Sequence, residues 1–107
     1  MKVQQFYNKN QFVITDHESG KTVFQSYDST IAQIDRDGVL TLGADWDYSH
    51  TTLKHFYLFL SDYRYTIKCT SEQYNELFRN KGGVFNAKNK RAFMQDLINK
   101  GVIKVVL

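Results

Sequence analysis

The hydrophobic period of this chain changes once, between Gly43 and His50. Before that point apolar residues come in short alternating runs; after it they recur at helical spacing. Strand side chains alternate between two faces, whereas a helix brings residues three and four apart onto one face. The switch therefore divides the chain into a sheet-forming half and a helix-forming half.

In the first half, residues 3–7 (VQQFY), 11–15 (QFVIT), 21–27 (KTVFQSY), 29–35 (STIAQID) and 39–43 (VLTLG) predict strands. Asn8-Lys9-Asn10 is the expected turn between the first two. Gly20 and the Asp37-Gly38 pair supply residues suited to positive φ in later turns. In the second half, hydroxyls of Ser49, Thr51 and Thr52 can cap a helix starting near residue 50. Leu53, Phe56, Tyr57, Leu60 and either Tyr63 or Arg64 form its expected inward stripe. A short strand over 65–69 follows. Thr70 and Gln73 fit a capping box that opens a second helix, with Tyr74, Leu77 and Phe78 inward and Gly82-Gly83 at its end. Asn86 is the expected cap of a third helix whose apolar side is Phe93, Met94, Leu97 and Ile98. Gly101 stops it, and residues 102–107 return as a strand. This order predicts an α+β fold: one domain over residues 1–107, with a largely antiparallel sheet packed against about three helices.

A chain of 107 residues, 42% hydrophobic and 23% charged, can bury a modest core and is not disordered. It has no proline, hence no Pro-rich linker, and one cysteine, Cys69, which excludes an internal disulfide and suits a reducing compartment. Met1 is followed directly by strand-like sequence, and no window is apolar enough to span a bilayer. These features predict a cytoplasmic protein with no membrane partner.

Charge is distributed unevenly. Residues 1–50 carry four Lys/Arg against seven Asp/Glu, and residues 51–107 carry ten against four. Arg79, Lys81, Lys88, Lys90 and Arg91 fall in thirteen residues with no acid between them, together with Phe85. Such a segment can follow a phosphate backbone, or it can be a solvated face. Trp46 and Tyr48 lie among Asp45, Asp47 and the start of the first helix, and Leu58 and Phe59 fall off its expected stripe. These aromatics either complete the core or form a contact surface. Trp46, Tyr48, Phe59, Arg79, Lys81, Lys88, Lys90 and Arg91 are the candidate partner-binding residues.

The sequence specifies no catalytic residue, metal site or cofactor. His50 and His55 are five apart, so a helix does not bring them to one face. Cys69 has no base beside it and reads as a small buried residue. Gly82-Gly83 reads first as a helix stop and second as a phosphate approach.

Two blocks, SYDSTIAQID (26–35) and WDYSHTTLKHFYLFL (46–60), resemble a pattern found in small proteins carried by bacterial phages and plasmids. The matching residues include Ser26, Tyr27, Ser29, Ile31, Ala32, Ile34, Trp46, Asp47, Tyr48, Ser49, Thr51, Thr52, Lys54, Tyr57, Phe59 and Leu60. The resemblance implies a mobile-element protein acting in the bacterial host cytoplasm. Its gene class implies an anti-CRISPR protein, a non-enzymatic inhibitor that binds a type II CRISPR effector nuclease or its guide-RNA complex in fixed ratio. The alternative is a small nucleic-acid-binding accessory protein using residues 79–91.

Overall fold

The computed structural model describes residues 1–67 and 71–107. Five strands follow one another as a meander: β1 (Lys2–Phe6), β2 (Asn8–Asp16), β3 (Lys21–Ser26), β4 (Ser29–Ile34) and β5 (Leu40–Leu42). Each pairs antiparallel with the next, and β6 (Lys104–Val105) closes the order β1-β2-β3-β4-β5-β6 by pairing parallel to β5. The parallel pairing follows from the helices between β5 and β6, which carry the chain back to the start of the sheet's last strand before it runs alongside. The architecture is α+β.

The alternating pattern sets which face is covered. Val13, Phe24, Ala32 and Leu42 are register partners across four strands, and all are buried. Side chains directly opposite on neighbouring strands share a face, so this row is the floor of the core. Helix α1 (His50–Tyr63) lies over it. Ser49 caps α1 by accepting from Thr52 N at 3.1 Å. Helix α2 (Ser71–Tyr74) continues as a π-type turn through Asn75–Arg79, followed by the short α3 (Gly83–Asn86) and then α4 (Lys90–Asn99).

Several expectations need correction. The first turn is not Asn8–Asn10; it is centred on Tyr7, which takes a left-handed φ of 64°, while Asn8–Asn10 belong to β2. The stripe of α1 is rotated: Thr52, His55, Phe56, Phe59 and Leu60 are buried, whereas Leu53 and Tyr57 are half-buried beside it. Rings decide this, because Phe59 stacks on Phe24 at 5.4 Å and also meets Phe6 edge-on. Of the strand expected over 65–69, Tyr65 and Thr66 belong instead to a 3-10 turn, Arg64–Thr66, and residues 68 and 69 lie outside the described residues. Asn89, not Asn86, caps the last helix, its side chain accepting from Ala92 N at 3.0 Å. The Cys69 reading and the Thr70 half of the capping box lie outside the described residues. Gln73 instead turns inward, donating to Leu40 O and accepting from Leu40 N, both at 3.1 Å. It continues the β5 ladder from a helix.

Candidate functional site

Lys88, Lys90 and Arg91 stand at the start of α4 and in the turn before it, where the chain passes the first turns of α1. His50, Leu53, Lys54 and Tyr57 of α1 face them across a groove of about 590 Å³, which Asn89 also lines. These α1 residues are spaced i, i+3, i+4 and i+7 and therefore form one helix face. Four cations from two elements thus converge on one concavity. Lys90 Nζ rests near the carbonyls of Phe85 and Ala87, at 3.4 and 3.3 Å. Arg91 is paired to Asp47 at 2.7 Å. Lys54 and Lys88 have no ion pair among the described residues.

Tyr57 lines the groove but keeps its hydroxyl beneath the surface. Tyr57 Oη is buried and has no hydrogen-bond partner among the described residues. Burial pushes its pKa up to about 12; Arg91 opposes that shift and Asp47 adds to it. At ordinary pH the phenol stays protonated, and the charges that act on it are those of Arg91 and Asp47. Cations gathered in one groove suit an anion.

The sequence-contiguous basic segment divides in space. Lys81 lies on the other side of α4, in a concavity that also holds Glu76 and Asp96, and Arg79 packs over the Tyr74 ring at 5.4 Å. Acids there offset the charge of Lys81, whereas among the described residues no acid lines the groove beside Lys88 and Lys90. Phe85 stacks on Phe78 at 5.9 Å, which holds its ring to the helical layer.

Of the aromatic candidates, Trp46 and Phe59 must be removed. Trp46 is 4% exposed and meets Phe56 edge-on, and Phe59 is fully buried. Tyr48 is 77% exposed. Leu58 is half-buried against the core. The two histidines diverge: His50 faces the groove, while His55 is buried with Nδ1 2.8 Å from Thr51 O. Among the described residues no three His, Cys, Asp or Glu side chains are placed to share a metal ion.

Sequence reasoning overlooked Lys54 and Tyr57 as partners of the basic segment. The signal was the i, i+4, i+7 spacing of His50, Lys54 and Tyr57, visible only once α4 is known to lie beside that face.

A second concavity, of about 670 Å³, lies on the opposite flank of the first turn of α1. Ser26, Tyr27, Asp28, Ser29 and Ile31 line one side, and Tyr48, Ser49, Thr51 and Thr52 the other. Residues 1–76 match a family of unknown function, DUF8033. The chain belongs to that family. No curated protein and no solved structure matches it. The family span includes the meander, all of α1 and the whole hydroxyl-lined pocket. The groove straddles its boundary, since Lys88, Lys90 and Arg91 lie beyond residue 76. Among the described residues, no helix is long and apolar enough to cross a membrane.

Proposed function

We propose that this protein acts by binding a nucleic-acid backbone in the groove between α1 and α4. The observation carrying this reading is the convergence of Lys54, Lys88, Lys90 and Arg91 on one groove. Cations at a concave surface gain affinity by displacing the counterions condensed on phosphates, a gain that needs no chemistry by the protein. The charged lining of the groove is all cationic, which favours a track for a phosphate strand. Inhibition of a guide-loaded CRISPR effector nuclease, as the resemblance implies, is one setting for this contact, because such a complex presents both guide RNA and displaced DNA.

Equilibrium titration of a labelled oligonucleotide at low and raised salt tests the backbone reading. Binding that weakens steeply with salt supports it; affinity indifferent to salt, or no binding at low salt, rejects it. For the effector setting, titration against a fixed amount of guide-loaded nuclease should reach full inhibition near equimolar protein. Inhibition at far lower ratios would make the protein a catalyst.

A further inference from the structure

The hydroxyl-lined pocket shares the first turn of α1 with the basic groove but has a different character. No Lys or Arg lines it, and its charged residue is Asp28. Thr51, on the pocket side, follows His50, on the groove side, by one residue, about 100° round the helix. The two concavities therefore flank the same helix turn, one cationic and the other neutral to acidic.

The pocket floor is polar and incompletely satisfied. Ser49 Oγ donates to Thr52 Oγ1 at 3.1 Å, and Thr52 Oγ1 lies 3.2 Å from Ser26 Oγ. Two bonds join three hydroxyls, so one O–H of the three has no acceptor among the described residues. Ser26 and Thr52 are 2% and 1% exposed, which makes that unspent donor costly to leave without a partner. Behind Ser26, its register partner Gln11 is fully buried, with neither amide atom bonded among the described residues.

The pocket rim is aromatic. Tyr27 is 52% exposed and Tyr48 77% exposed, so neither ring is committed to the core. Tyr27 also holds a left-handed φ of 53°. A bulky residue adopts that conformation at a cost, whereas Asn or Gly would fit it with less strain. The ring is displayed at the pocket despite that penalty.

We propose that this pocket receives an unpaired nucleobase of the strand whose backbone follows the groove. Bases stack on exposed tyrosines, and serine and threonine hydroxyls serve either donors or acceptors on a base edge. A phosphate does not suit a pocket lined by Asp28 and no cation. Because a base must leave its duplex to be stacked, the preferred ligand is single-stranded nucleic acid. The proposal rests on the groove reading and deepens it.

The test compares a labelled single-stranded oligonucleotide with an abasic strand of the same length and with a duplex, against wild type, Tyr48→Ala and Tyr27→Asn. Circular dichroism and thermal unfolding confirm that each variant is folded, and two variants on separate elements guard against the loss of one. Wild type is expected to bind the base-bearing strand at least about fivefold more tightly than the abasic strand, a ratio that at least one folded variant reduces towards one. Equal, salt-sensitive binding of intact and abasic strands by wild type overturns the base pocket and leaves the groove standing. A preference that survives in both variants also overturns the pocket. Tighter binding of duplex than of single strand contradicts the unpaired base. Failure of every probe to bind at low salt removes the groove, and the pocket proposal with it.

Discussion

Arg91 donates to Asp47 Oδ2 through both Nη2, at 2.7 Å, and Nε, at 3.0 Å. The pair joins residues 44 apart and ties the start of α4 to the loop before α1, on the basic and acidic halves of the chain respectively. Its guanidinium is 63% exposed and its carboxylate 23%. The bond sets where the groove's second wall stands without burying the charges that the groove presents.

An exposed pair of this kind contributes about 0.2–1 kcal/mol to folding, because water and salt screen it and both side chains must be ordered. Arg91→Ala should therefore shift the denaturant midpoint only slightly. A loss above about 2 kcal/mol would show that the pair is structural and that the groove cannot be altered without disturbing the fold.

Phe59 occupies the core. Phe59→Ala removes a fully buried ring stacked on Phe24 and should cost about 3–5 kcal/mol through lost burial and the cavity left behind. Chemical denaturation gives the number; a change below about 1 kcal/mol would return Phe59 to the surface.

Gln73 is the polar counterpart. It is 4% exposed and satisfies both backbone groups of Leu40 from the helical layer. Gln73→Leu should cost about 1–3 kcal/mol, since it strands a buried N–H and a buried C=O while conserving side-chain volume approximately. Slower exchange of the Leu40 amide in the variant would contradict this bond's role; faster exchange is the expected result.

Tyr57 predicts an alkaline signature. Its folded pKa of about 12 exceeds the ordinary tyrosine value of 10.0, mainly because burial disfavours the phenolate. The folded state then holds this proton more tightly than the unfolded state, so stability falls as pH rises from about 10 to about 12. Tyr57→Phe should flatten that part of the decline and leave stability at neutral pH unchanged or higher, because it deletes an unpartnered hydroxyl. Identical alkaline profiles for the two proteins would place the Tyr57 hydroxyl in water.

The meander was legible in the sequence because its strands carry local alternation and most of its turns carry local turn residues, the exception being the first, where Tyr7 turns the chain and Asn8–Asn10 join β2. The rotation of α1 was not. Leu53 and Tyr57 match an inward stripe on spacing as well as Thr52 and Phe59 do, and only the position of Phe24 and Ser26 beneath the helix selects between them. The same limit applied to the site. Lys88, Lys90 and Arg91 were visible as a charged run, but a run cannot show that Lys81 turns to the other side of α4 or that Arg79 packs over Tyr74. Nor can it show that Lys54 completes the groove from across the chain. Gln73 fits a capping pattern locally; the backbone of β5, far away in sequence, competes for the same amide.

The most direct test of the central claim is the salt dependence of single-strand binding by wild type, by a Lys88→Glu, Lys90→Glu, Arg91→Glu triple variant, and by an Arg79→Glu, Lys81→Glu double variant. Each phosphate contact contributes about −0.7 to the slope of log affinity against log salt for a single strand. The account predicts that the triple variant binds much more weakly and with a slope shallower by about 2, while the double variant stays close to wild type. Unchanged affinity and slope in the triple variant, or an equal loss in the double variant, would contradict a binding track between α1 and α4.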